Sequence, residues 1–113
     1  EAVRDYDRAI ELDPKRAEVF INRANAKIGL EDFAGAVRDH TQAIALKPSL
    51  AEAYAGRAEA TEFLIDGNLG KEKTLLESAE RDLAKALEVA PADWRFRGFA
   101  KERLEEIRRR LGK

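Results

Sequence analysis

Apolar side chains recur along this chain at helical spacing rather than in strand-like alternation. In AEVFINRANAKIGL (residues 17–30), Phe20, Ala24 and Ile28 stand four apart, which sets them on one helix face. Further on, Ala36 and Ala43 are two turns apart on another face, with Ile44 and Leu46 beside them. Methyl side chains at such positions let a neighbouring helix approach closely. KEKTLLESAERDLAKALEVA (residues 71–90) reads as one long helix. In the last twenty residues Phe96, Phe99, Ala100, Leu104, Ile107 and Leu111 form a single apolar stripe between charged faces. Stop signals separate these runs. Pro48 cannot donate to a helical ladder and pushes Lys47 out of helical geometry, and Pro14 and Pro91 stand in the same setting. Gly29 and the Glu31-Asp32 pair predict a tight turn inside the unit. The predicted unit is a helix, a turn, a second helix and a proline stop.

The unit repeats. AVRDYDRAIELDP (residues 2–14) aligns with AVRDHTQAIALKP (residues 36–48), 34 residues on. A third copy, AERDLAKALEVAP (residues 79–91), keeps the Arg-Asp pair, the alanines and the proline. A fixed period of this size means stacked supersecondary units. Pro48 and Pro91 are 43 residues apart, so the last unit carries nine surplus residues. They centre on IDGNLGKEK (residues 65–73), where Asp66-Gly67 and Asn68 to Gly70 are turn formers. A lengthened surface connection costs little, so a tolerated insertion is favoured over a dedicated contact.

This pattern resembles the tetratricopeptide repeat, in which an aromatic and a small residue precede a turn, then alanine, a bulky residue, alanine and proline. Phe20, Ala24, Ala36, His40, Ala43 and Pro48 fill those places once, and Tyr54, Ala58, Ala79, Leu83, Ala86 and Pro91 fill them again. Two places depart: Arg23 and Arg57 stand where the family has leucine, Lys27 and Thr61 where it has tyrosine. The resemblance implies an all-α fold, a right-handed α-α superhelix of stacked antiparallel helix pairs. Residues 1–14 would be the second helix of a truncated repeat in a longer array, and 17–50 a complete repeat. Residues 51–91 would be a repeat with an insertion near 65–73, and 92–113 a capping helix over the last apolar face. Val3, Tyr6 and Ile10 would lie on an unfinished face able to self-associate.

Composition narrows the chemistry. Charged residues make up 38% and hydrophobic ones 44%, so the chain is charge-rich yet able to fold. There is no cysteine, which excludes disulfides and thiolate sites, and no apolar run long enough to span a membrane. A cytoplasmic setting is the expectation. His40 is the single histidine; its equivalents are Tyr6 and Leu83, so a partly buried, hydrogen-bonded packing role is expected, not a metal or catalytic one. Neither a glycine-rich phosphate loop nor a nucleophile elbow occurs. No enzyme, cofactor or metal is expected. Residues 92–113 carry eight Lys/Arg against four acids, while the rest of the chain is acidic. Arg108–Arg110 with Trp94, Phe96 and Phe99 raise nucleic-acid binding, but the phenylalanines belong to the stripe and Trp94 reads as packing.

Binding remains. The resemblance implies a concave groove lined by the first helices. One contributes Glu18, Ile21, Asn22, Asn25 and Ile28; the next contributes Glu52, Ala55, Gly56, Glu59, Glu62 and Phe63. Asn22 and Asn25 can donate and accept at once, as the backbone of an extended peptide requires. Family members that grip chaperone-tail carboxylates use asparagine, lysine and arginine at defined groove positions. Asn22 matches, but Glu52 stands at the lysine position and Gly56 at the arginine position. An acidic groove favours a basic or neutral protein or peptide partner and disfavours a chaperone tail. The competing reading is a structural or oligomerising segment that spaces other domains.

Overall fold

The computed structural model describes residues 2–66 and 70–113. Six helices account for most of them: α1 (Ala2–Leu12), α2 (Ala17–Gly29), α3 (Phe33–Leu46), α4 (Ala51–Ile65), α5 (Glu72–Val89) and α6 (Arg97–Arg110). Each helix packs on its neighbour in sequence, and α2 also packs on α4. The molecule is only 20 Å thick in its shortest dimension, two helix diameters. The packing is that of stacked antiparallel helix pairs, with α2 and α4 as successive first helices and α3 and α5 as their partners.

Local chemistry sets the joints. After α2, Glu31 adopts a left-handed conformation (φ 62°), and the Asp32 amide donates to the Lys27 carbonyl at 2.8 Å, a six-residue helix-ending loop. Asp32 then caps α3, its carboxylate accepting from the Gly35 amide at 3.0 Å. The Tyr54 hydroxyl donates to the Pro48 carbonyl at 2.9 Å, tying α4 to the stop before it. Of the nine surplus residues in the last unit, two lengthen α4 relative to α2 and four lengthen α5 relative to α3. The turn expected at Gly67 and Asn68 lies outside the described residues; Gly70 has φ +91°, a conformation glycine adopts freely.

Alanine dominates the contacts between helices. Ala24, Ala36, Ala43, Ala53, Ala58, Ala60, Ala79 and Ala86 are all wholly buried. Ala53 joins Phe20, Ile21 and Ala43 in one cluster, and Ala60 joins Ala24 and Ala36 in another, so α4 meets the preceding pair through methyl groups. Leu76, Ala79 and Leu83 of α5 form a third cluster with Ala100, Leu104 and Ile107 of α6. The last helix thus covers the apolar face of the pair before it. At the other end α1 has no fully buried residue; Val3, Tyr6 and Ile10 are half-buried, and Ile10 packs against the Phe20 cluster.

The repeated Arg-Asp pair has a structural counterpart. The aspartates of the second and third copies, Asp39 and Asp82, are buried, and each accepts two hydrogen bonds from an arginine at the place where the family has leucine. Arg23 binds Asp39 at 2.9 and 2.7 Å and reaches back to Asp7 at 2.7 Å. Arg57 binds Asp82 at 2.8 Å twice and reaches back to the Thr41 hydroxyl at 3.2 Å. Each arginine therefore ties its own pair together and touches the pair before it. Lys27 adds a second cation 3.1 Å from Asp39.

Two expectations are corrected by packing. His40 is wholly rather than partly buried, and neither ring nitrogen has a hydrogen-bond partner among the described residues. Burial holds its pKa down to about 4, with Asp39 opposing and Arg57 reinforcing the shift. Phe96 and Phe99 do not join the stripe of Ala100, Leu104 and Ile107; they are 47% and 60% exposed. The helix places Phe99 beside Ala100, but the buried side runs through Ala100, Leu104 and Ile107, at steps of four and three.

Candidate functional site

On α2, Arg23 and Lys27 turn inward to Asp39, and Phe20 and Ala24 are buried. Glu18, Asn22 and Asn25 lie on the opposite side of the helix and are exposed. Glu18 is held below the usual carboxylate range by hydrogen bonds from its own backbone amide and from Arg16. On α4 the same geometry exposes Glu52 and Glu59, because Tyr54, Ala58 and Thr61 are buried. Ile21 is buried against α4, and Ile28 is half-buried, so the polar stripe has an apolar flank.

Gly56 does not belong to this surface. A Cβ on Gly56 would stand 2.4 Å from the His40 ring, so the position faces the α3 side chain, not open space. Glycine is needed there because the buried imidazole occupies the volume.

A cleft of about 380 Å³ lies between α4 and α6. Glu59 and Glu62 line it together with Phe63, Trp94, Phe96 and Phe99. Glu62 is half-buried and ion-paired with Arg103 of α6. Glu59 is exposed by area and has no ion-pair partner among the described residues, yet the cleft walls take enough water from its carboxylate, with Glu62 adding repulsion, to raise its pKa. Phe63 stacks on Phe33 with centroids 4.6 Å apart, and Trp94 meets Phe96 edge-on at 6.0 Å. Trp94 also packs into the core, as expected, against the Tyr54 and Leu83 clusters. Of the six residues singled out from sequence, then, Glu59 and Glu62 meet in the cleft, whereas Glu18, Asn22, Asn25 and Glu52 stand on the open helix faces.

The cleft exists because α6 and α4 do not close up as α4 and α2 do. Alanines line the closed contact, whereas Phe99 and Arg103 stand at the open one. The register differs too: α4 starts three residues after Pro48, but α6 starts six after Pro91, and the intervening segment carries Trp94 and Phe96. The capping helix expected over 92–113 thus begins only at Arg97 and ends at Arg110. The cations of α6 and of the residues just after it are largely engaged. Arg103 pairs with Glu62, Arg108 and Lys113 with Glu80, Arg110 with Glu72 and Arg109 with Glu106. No helix among the described residues is long and apolar enough to cross a membrane.

No protein-family model matches the chain, and no curated protein does. Solved structures do. The first TPR of Spaghetti (RPAP3), bound to the HSP90 peptide SRMEEVD, superposes with a TM-score of 0.80 at 29% identity, covering 98% of this chain and 78% of that one. This is a tetratricopeptide-repeat fold. The TPR domain of Arabidopsis OM64 matches at TM-score 0.75 and 29% identity, over 92% of this chain and 78% of its own. The TPR2B domain of yeast Sti1 reaches 0.81 at 22% identity, over 96% and 81%. In tetratricopeptide-repeat terms, α2–α3 and α4–α5 are the helix pairs, and α6 covers the second of them.

Proposed function

We propose that this repeat segment is a non-catalytic interaction scaffold that binds an extended basic or neutral peptide segment of a partner protein along the exposed faces of α2 and α4. The observation that carries the reading is the charge of those faces. Glu52 and Glu59 are exposed without an ion-pair partner among the described residues, beside Asn22 and Asn25, whose amides suit a peptide backbone. A 29% identical fold holds a peptide, which supports peptide binding as the class of function. It does not extend to that peptide. An acid at Glu52 repels a terminal carboxylate, and an arginine at Gly56 would collide with His40.

The test is selection of random dodecapeptides displayed on phage against the whole chain, with the synthetic peptide SRMEEVD assayed separately by fluorescence polarisation. Selected sequences should be rich in Lys and Arg. Their affinity should fall about tenfold in the Glu52→Lys/Glu59→Lys double variant, as expected when two attractive charges become repulsive. Failure to enrich any peptide over the bare support overturns the reading. Saturable binding of SRMEEVD overturns the exclusion of chaperone tails.

A further inference from the structure

We propose that the cleft between α4 and α6 is a subsite for one basic side chain of the bound peptide, an arginine or lysine whose aliphatic stem lies on Phe63, Phe96 and Phe99 and whose charged head meets Glu59. The proposal rests on the reading of the α2 and α4 faces as a peptide surface and adds to it a place and a side-chain chemistry.

Size comes first. A cleft of about 380 Å³ lies at the small end of ligand pockets, enough for one or two side chains and too little for a docked helix. The walls are unusual for a solvated surface: Phe63, Phe96 and Phe99 are 46%, 47% and 60% exposed around one concavity. Aromatic faces and edges left in water at a single spot mark a contact site rather than scattered exposure.

Charge then selects the occupant. Two arginines line the cleft, but Arg103 is committed to Glu62 and Arg110 to Glu72. Two lining carboxylates are left over, the exposed Asp66 and Glu59, neither with an ion-pair partner among the described residues, and Glu59 is already partly desolvated beside Glu62. A purely apolar occupant would bury that carboxylate without compensation, which is costly. An anionic occupant would meet it directly. A guanidinium or ammonium on an alkyl stem satisfies both halves of the site, since the head pairs with Glu59 and aromatic faces attract cations while the stem covers ring surface. Arg95, whose guanidinium already lies 4.9 Å from the Phe96 ring centroid, shows a cation seated on one of these rings.

The test uses two small probes, N-acetyl-Phe-Arg amide and N-acetyl-Phe-Glu amide, titrated into the isotope-labelled chain and followed by amide chemical shifts. The basic probe should move the signals of Glu59, Phe63 and Phe99, and the acidic probe should not. Glu59→Gln should weaken the basic probe roughly three- to tenfold, the usual worth of a charge-assisted contact, and Phe99→Ala should do likewise. Both positions are exposed, so unchanged melting curves will show that these variants stay folded. Shifts confined to Asn22, Asn25 and Glu52, with the cleft silent, overturn the subsite while leaving the peptide surface intact. Equal binding of the acidic probe, or indifference to Glu59→Gln, also overturns the subsite. If neither probe binds and phage selection is empty as well, both readings fall together.

Discussion

His40 shows how much one side chain can set. Its ring fills the space beside Gly56, and its nitrogens are buried without hydrogen-bond partners among the described residues. In the unfolded chain the imidazole titrates near 6.5, and in the folded chain near 4. Between those values the unfolded state binds a proton that the native state refuses. Stability is therefore full above pH 6.5 and falls as the pH drops towards 4. Between pH 7 and pH 5 the loss should be about 2 kcal/mol. As His40 is the only histidine and Leu83 fills the equivalent place in the next repeat, His40→Leu isolates the effect. Urea unfolding of that variant should show almost no change between pH 7 and 5, and greater stability than the parent at pH 5. The repeat pattern identified this position as a packing slot. It could not show that packing would strip the ring of hydrogen bonds, because that depends on which atoms of α3 and α4 meet around it.

Helix pairs are held by more than apolar faces. Arg57 on α4 and Asp82 on α5 form a two-bond pair whose acid is buried, and Arg23 and Asp39 repeat it one unit earlier. Such a pair need not stabilise more than hydrocarbon would, yet breaking it strands a buried charge. Arg57→Ala should accordingly cost about 3 kcal/mol in urea unfolding, and Arg57→Leu with Asp82→Leu should recover most of it. Equal losses in the single and double variants would mean the pair is more than mutual neutralisation. This ladder was half legible. The Arg-Asp echo stood out in the sequence, and so did the arginines at leucine positions, but only the fold joins them. The partners lie 16 residues apart in one unit and 25 in the next, across a turn whose length changed.

At the scale of the whole molecule, α6 is both lid and wall. Its Leu104 and Ile107 are buried on Leu76 and Leu83 of α5. Four such side chains are worth roughly 6–12 kcal/mol of burial, which compares with the entire net stability of a small domain. A chain ended at Pro91 should lose its cooperative melting transition by circular dichroism. The ion pairs of Arg108 and Lys113 with Glu80 involve exposed cations and matter far less. Arg108→Gln with Lys113→Gln should change stability by less than about 1 kcal/mol. The same helix forms one wall of the cleft that Glu59 and Glu62 share, so removing it would abolish the proposed subsite along with the cap.

By itself the sequence determined the unit and its period. Proline stops, alanine spacing and the aromatic and small positions are local or strictly repeating, and a helix face follows from spacing alone. It also set the composition of the exposed stripes, with Glu18, Glu52 and Glu59 on the faces opposite the buried ones. What the tertiary structure decided is how far apart the faces stand. Small side chains let α4 settle onto α2, whereas Phe99, Arg103 and a late start hold α6 off α4. That distance depends on side-chain volumes meeting across an interface distant in sequence. For this reason a stripe that spacing alone assigned to the core opened into Phe96 and Phe99 around a cleft.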